Sequence, residues 1–279
     1  MLEKLLEVIR LRPSSEDSYI GGNMHPDAFR VYGGQVLAQA VSAALATVQD
    51  DRVIHSQHAY FLRPGDAGQD IEYQVERARD GGSFSSRRVV ALQGGKPILV
   101  SSMSFQLPSS GESYQPTMPE VPGPEGLQSD RERAIDNNSL DEEFMVTTGG
   151  DLDVRQCRPL DWSQSSPLQP PLQVWIKTNG ELEDDPTIHQ AMLAYFSDAY
   201  LLDACLMIHG RPYDDPGIQV ASLDHALWFH DTFRADQWLL LTMDPEHVGG
   251  GRGLARGRFF ARDGRLVATT MQEGLMRFR

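Results

Sequence analysis

Cysteine is almost missing from this chain: Cys157 and Cys205 are the only two in 279 residues, and they stand far apart. A disulfide framework would show more of them, and there is no C-x-x-C for a redox or zinc site, so both read as free thiols in a reducing compartment. Long apolar runs are missing too. No stretch of 18 apolar residues offers a membrane-spanning helix, so no stable membrane insertion is expected. The N-terminal MLEKLLEVIRLRP is a short amphipathic helix broken by charges, not a signal core, and Arg277-Phe278-Arg279 is not a Ser-Lys-Leu address. These readings point to a cytoplasmic protein. Positive charge is in deficit, with 25 Lys and Arg against 39 Asp and Glu, a net charge of −14. That excludes binding built on phosphate neutralisation along DNA or RNA, while leaving room for a local basic pocket. Also absent are the G-x-S-x-G elbow of serine hydrolases and the H-E-x-x-H of zinc hydrolases. The Gly249-Gly250-Gly251-Arg252-Gly253 cluster lacks Walker or dinucleotide spacing and enters a strand, so it reads as a hairpin loop.

What is present is an ordinary globular composition, 40% hydrophobic and 23% charged, with a pattern that runs twice. Gly33-Gly34 opens a helix over Gln35–Val48 whose few polar residues are small, which predicts an enclosed helix. Four strands follow, at His55–Leu62, Ile71–Arg79, Phe84–Gln93 and Ile98–Leu107, separated by Gly- and Pro-containing turns. Residues 108–170 are rich in Pro, Ser, Gly and acidic residues and read as a connector with little chemistry. It holds a possible helix at Arg131–Met145 and a possible edge strand at Asp151–Arg158. The pattern then restarts with a strand at Gln173–Thr178, a long helix at Thr187–Ile208, and strands at Val220–Phe229, Trp238–Asp244, Leu254–Arg262 and Leu266–Arg277.

The two runs also match in letters. HSQHAYFL stands against SLDHALWF, each with a His-Ala pair (His58-Ala59 and His225-Ala226). RRVVALQGGKPILVSSM stands against ARGRFFARDGRLVATTM without gaps at a separation of about 168 residues, the fixed-period similarity of a duplication. That places Arg88 on Arg256, Ile98 on Leu266, Met103 on Met271, and Ser104 where Gln272 would be. A buried helix against a long antiparallel sheet is an α+β layering. Fusing two such units lets their open edges pair into one continuous sheet. The division is then 1–107, connector 108–170, and 171–279.

A few polar residues in apolar surroundings attract attention. Asp198 lies in AMLAYFSDAYLLDACLM, where a carboxylate is costly to bury unless it is hydrogen-bonded or used. Asp203 competes with it, about 140° further round a continuous helix. Ser222 heads the strand SLDHALWF, on the face of Asp224, Ala226 and Trp228. Gln272 sits among Thr, Met and Leu on the last strand, where its amide needs a partner. His58 tempts as a general base, but the repeat of its His-Ala pair favours aromatic packing. His225 and His230 fall on opposite faces of a strand and make no metal pair. Each of these residues, taken singly, also has an ordinary structural role.

The sequence resembles the acyl-CoA thioesterase II (TesB-type) family along essentially its full length. The resemblance is carried by VYGGQVLAQA (31–40), HSQHAYFLRPGD (55–66), DGGSFSSRRVVALQGGKPI (80–98), QVWIK (173–177), HQAMLAYFSDAYLL (189–202), GIQVASLDHALWFH (217–230) and VATTMQEGLMR (267–277). It implies a double hotdog fold and hydrolysis of fatty acyl-CoA to free fatty acid and CoA, without metal or organic cofactor. The family's Asp, Thr or Ser, and Gln fall on Asp198, Ser222 and Gln272. Asp198 would act on water as general base, with Ser222 and Gln272 holding the water; direct attack by Asp198 to form an anhydride stays open. Candidate substrate contacts are the backbone N–H groups of Gly33 and Gly34, His58, and Arg88; Arg87, Arg252 and Arg256 join Arg88 as possible partners of CoA phosphates. A homo-oligomer, dimer or tetramer, is expected. Two other readings are a hotdog enoyl-CoA hydratase, which would want His where Asp203 stands, and a non-catalytic acyl-CoA sensor, which would not need all three polar residues.

Overall fold

The apolar residues of the N-terminal segment recur three and four positions apart, and Leu5, Val8 and Ile9 form the buried stripe of the helix Leu2–Ile9. It packs on the first central helix, Gly33–Leu45, in which every residue from Gly34 to Val41 is buried. In the computed structural model, which describes residues 2–137, 151–160, 167–213 and 215–278, that helix lies against a second central helix, Pro186–Ser197. The second begins with Asp185 as cap, accepting the Thr187 N–H, and with Pro186 in the first turn, where its missing N–H costs nothing.

The strands are β1 Arg12–Ser15, β2 Ser18–Gly21, β3 Val53–Phe61, β4 Ile71–Asp80, β5 Phe84–Gln93, β6 Lys96–Gln106, β7 Leu152–Gln156, β8 Leu172–Thr178, β9 Ile218–Ser222, β10 Asp224–Phe229, β11 Leu239–Gly249, β12 Arg252–Ala261 and β13 Leu266–Phe278. They form one antiparallel sheet in the order β1-β2-β4-β5-β6-β3-β10-β13-β12-β11-β8-β7, with β9 beside β13. The order reads the same from each side of the β3–β10 seam, so the two halves join through edges that would otherwise be open. At the seam His225 faces Ala59 and Ala226 faces His58. The β1–β2 hairpin has little hydrophobic alternation, with all four β1 residues exposed, and the sequence pattern does not reveal it.

Three expectations need correction. First, the segment expected as one helix over Thr187–Ile208 is two: Pro186–Ser197 ends at Asp198, and a short helix, Leu201–Met207, begins after Tyr200 in a left-handed conformation (φ 62°). Second, the strand expected over Val220–Phe229 breaks at Leu223, β9 pairing with the end of β13 and β10 with its middle and with β3. Third, the gapless match between the halves slips by one residue at the last hairpin. Gly94-Gly95 turns the β5–β6 hairpin, whereas Arg262-Asp263-Gly264 turns β12–β13. Arg87 faces Met103 and Ala255 faces Gln272, so the partner of Gln272 in the first half is Met103, not Ser104.

The connector carries the expected edge strand and a helix where one was expected, and it also packs on the sheet. Ser129 and Glu132 form a capping box on the helix Asp130–Asp136; the rest of the stretch expected to be helical, 138–145, lies outside the described residues. Strand β7 is the sheet edge beside β8, within the Asp151–Arg158 stretch. Trp175, Leu240 and Phe260 form a separate apolar cluster, packed against by Met118, Val121 and Leu127 of the connector, with Trp175 Nε1 donating to Pro122 O at 2.8 Å. Among the described residues no helix is long and apolar enough to cross a membrane.

Candidate active site

The break between the two parts of the second helix places Asp198 at a helix C-terminus, against the N-terminus of the first central helix. The contact depends on glycine. A Cβ on Gly33 would stand 2.7 Å from Asp198 Oδ2, and one on Gly34 would stand 2.4 Å from Tyr195 O. A side chain at Gly34 would push the helices apart and one at Gly33 would displace the Asp198 carboxylate, which explains a Gly-Gly pair where helix propensity alone disfavours it.

Burial raises the Asp198 pKa, and His225, the Gln272 amide and the Gly34 N–H partly offset it. Among the described residues Asp198 Oδ1 is buried with no hydrogen-bond partner. A buried carboxylate oxygen left unsatisfied in this way is expensive as a structural element and is available to a reactant.

Gln272 links the remaining groups. Its Nε2 donates to Ser222 Oγ at 2.7 Å, and its Oε1 lies 2.9 Å from His225 Nδ1. His225 Nε2 in turn lies 2.8 Å from Ser197 Oγ and 3.1 Å from Thr270 Oγ1. Both His225 and Gln272 are 1% exposed, and burial lowers the His225 pKa, so the ring is neutral at physiological pH. Ser222 reaches this network because the chain breaks after it: Leu223 donates its N–H to Glu273 O, and Asp224 Oδ1 accepts the Glu273 N–H. The expectation that Ser222 shares a face with Asp224, Ala226 and Trp228 assumed an unbroken strand and is corrected by that kink.

The structure thus brings Asp198, Ser222, Gln272, Gly33 and Gly34 together and adds His225, which the sequence pattern offered as part of the repeat and rejected as half of a metal pair. The signal was present in its odd-numbered place on β10, facing inward with Leu227 and Phe229, while His58 pairs in register with outward Ala226. His58 stands on the outer face, edge-on to Trp228 at 5.1 Å between ring centres, and does not join the cluster. Arg88 is also on the outer face, 3.5 Å from Glu76. Arg87 is buried and bonded to Thr47, Asp80 and backbone carbonyls, and Arg252 and Arg256 pair with Glu273 and with Asp244 and Glu246. All four arginines have partners within the fold.

The turn carrying Asp198 is held from the connector. Tyr200 donates its hydroxyl to Asp130 Oδ2 at 2.6 Å, and that oxygen also accepts from Gln156 Nε2 at 2.9 Å. Asp203 lies in the short helix beyond this turn and is not part of the Gln272 network. His230 points away from His225 to Thr269 Oγ1, and among the described residues no three His, Cys, Asp or Glu side chains are grouped to hold a metal.

Comparison with known proteins matches this arrangement to one family. Residues 21–106 match the acyl-CoA thioesterase N-terminal domain, and residues 166–275 match the acyl-CoA thioesterase model. The chain is 37% identical over 283 residues to acyl-CoA thioesterase 2 of Haemophilus influenzae, covering 100% of this chain and 98% of that protein. The crystal structure of the acyl-CoA thioesterase II TesB2 from Mycobacterium marinum is 37% identical, with a TM-score of 0.81 over 99% of this chain and 97% of that one. A hotdog-fold protein of unknown function from Alicyclobacillus acidocaldarius shares the fold alone, with a TM-score of 0.78 at 16% identity over 99% and 98% of the two chains. The helix-in-sheet units are therefore hotdogs, and the chain belongs to the acyl-CoA thioesterase II family of thioester hydrolases.

Proposed function

We propose that this chain hydrolyses fatty acyl-CoA to free fatty acid and CoA by attack of water, with Asp198 as the general base. The observation that carries this is the buried Oδ1 of Asp198, without a hydrogen-bond partner among the described residues, beside Gln272 and Ser222. A thioester carbonyl is already electrophilic, so the reaction needs chiefly a positioned nucleophile. Water bound at Oδ1 gives a proton to the carboxylate as its oxygen attacks the carbonyl carbon. The resulting oxyanion collapses, the C–S bond breaks, and the proton passes from Asp198 to the departing CoA sulfur. Asp198 is regenerated as the carboxylate, and no metal or organic cofactor enters the scheme.

Burial serves this role because a carboxylate with a raised pKa is a stronger base than a free one. The Gly34 N–H is engaged with Asp198, which leaves the Gly33 N–H, at the same helix N-terminus, as the backbone donor proposed for the carbonyl oxygen. The test is release of free thiol from a panel of acyl-CoAs by wild type and by Asp198→Asn. General-base catalysis predicts a fall in kcat of roughly 10²–10⁴-fold in the variant. Undiminished turnover by Asp198→Asn would remove Asp198 from the mechanism, and no thiol release from any chain length by the wild type would favour an acyl-CoA sensor.

A further inference from the structure

The buried imidazole of His225 makes no hydrogen bond to the carboxylate oxygen left for the reactant, yet its own hydrogen bonds leave only one consistent arrangement of protons. Gln272 has one donor end and one acceptor end. Asp198, as a carboxylate, only accepts, and Gln272 acts on it as a donor. Ser222 Oγ lies 2.7 Å from the same nitrogen. The amide –NH2 therefore faces Asp198 and Ser222 with its two protons, and Oε1 is turned to His225 Nδ1 at 2.9 Å. An oxygen there needs a proton from the ring.

We propose that His225 is a positioning residue for the thioesterase reaction, held as the neutral tautomer with its proton on Nδ1, and that this tautomer fixes which end of Gln272 faces the catalytic groups. The inference rests on Asp198 being the base. The tautomer is imposed from behind: Nε2, without a proton, accepts from the hydroxyl of Ser197 at 2.8 Å or Thr270 at 3.1 Å. Each hydroxyl also has a backbone carbonyl as its other choice, Ala194 O for Ser197 and Ala226 O for Thr270, so one can turn to the ring while the other stays bonded to the backbone. The chain of donors then runs in one direction, from hydroxyl to Nε2, from Nδ1 to Gln272 Oε1, and from Gln272 Nε2 to Ser222 Oγ. Ser222 receives a proton at its oxygen, and its own proton is left for the reacting atoms, which it meets as a donor.

The other neutral tautomer would reverse every link. Gln272 would have to turn its –NH2 to Nδ1 and present Oε1 to the Asp198 carboxylate, setting two acceptors against each other in a buried site. Lowering of the His225 pKa by burial keeps the doubly protonated ring out of the physiological range.

Two measurements test this. In the 279-residue enzyme labelled with ¹⁵N-histidine, two-bond ¹H–¹⁵N correlations assign the ring proton directly, and the His225→Asn spectrum identifies the resonance. A neutral ring protonated at Nδ1 is expected; protonation at Nε2 overturns the proposal. In kinetics, His225→Leu is expected to lower kcat by about tenfold or more with KM little changed, as for a lost hydrogen bond that acts only on positioning. His225→Asn, which keeps a donor near Oε1, is expected to recover part of the loss. Wild-type kcat in a folded His225→Leu enzyme overturns the proposal as well. Failure of the general-base reading is separately visible, because it would appear as turnover by Asp198→Asn whatever the tautomer of His225.

Discussion

Met103 and Gln272 occupy the same place in the two halves of the sheet: Arg87 faces Met103 across β5–β6, and Ala255 faces Gln272 across β12–β13. A thioether stands in the first half where the second has the amide that bonds Ser222 and His225. The pseudo-symmetric position in the first half therefore lacks the donor on which the proposed site depends. Gln272→Met is expected to reduce kcat by about 10–100-fold, the worth of one or two charge-assisted hydrogen bonds. Met103→Gln should leave turnover within twofold of wild type, roughly. Thiol-release assays on both variants decide the matter; a large loss in Met103→Gln would place chemistry in the first half.

Gly33 and Gly34 separate site from scaffold one residue apart. A methyl group on Gly33 would meet Asp198 Oδ2 at 2.7 Å and the Phe61 ring at 3.1 Å, side-chain atoms that can move. A methyl group on Gly34 would meet the Tyr195 carbonyl at 2.4 Å, a backbone atom inside a buried helix. Gly33→Ala is expected to lose most activity while remaining folded. Gly34→Ala is expected to lose about 1–3 kcal/mol of stability by overpacking, measured as a lower denaturant midpoint. Equal effects of the two changes on stability and turnover would contradict this division.

Much of this was legible in the sequence. Periodicity found both central helices and the eight strands of the repeated pattern because those elements bury continuous apolar faces. The break at Tyr200 escaped because AMLAYFSDAYLLDACLM is apolar on nearly every side of a continuous helix, and nothing local marks a non-glycine residue in the left-handed region. The kink at Leu223 escaped because it is settled by pairing of β9 and β10 with different parts of β13 and of β10 with β3. The extra residue in the Arg262–Gly264 turn escaped because the register of β12 on β13 sets it. The breaks at Tyr200 and Leu223 lie beside Asp198 and Ser222, at the site itself. Asp198, Ser222 and Gln272 were named through family resemblance, whereas His225 became visible only when the bonds of the Gln272 amide were traced in the structure.

The acid side of the pH–rate profile should report Asp198. A general base works as the carboxylate, so activity falls as pH drops through its pKa. Burial raises that pKa, with His225 and the donors Gln272 and Gly34 pulling the other way, so the acid limb of kcat/KM should lie above the ordinary carboxylate range. Weakening the Gln272 donor, as in Gln272→Met, removes a group that favours the charged form and should move the limb to higher pH still. An acid limb at the position of a free aspartate in both enzymes would sink this account of the base.

Tyr200 ties this same carboxylate to the connector. A left-handed backbone costs a non-glycine residue about 1–3 kcal/mol, and its neighbours must hold it there. The hydroxyl bond to Asp130 Oδ2, at 2.6 Å, supplies part of that restraint two residues from Asp198. Asp130 is itself buried, bonded to Gln156 and 3.3 Å from Arg133, so the anchor is fixed within the connector. Tyr200→Phe removes the bond while keeping the ring. Its kcat is expected to fall by about 10–100-fold with KM nearly constant, the consequence of a base displaced by a fraction of an ångström to an ångström. Asp130→Asn keeps an acceptor for the hydroxyl and should cost less than Asp130→Ala, an ordering that charge alone does not predict. If Tyr200→Phe unfolds at lower denaturant yet turns over as fast as wild type, the bond supports the fold and does not place the base.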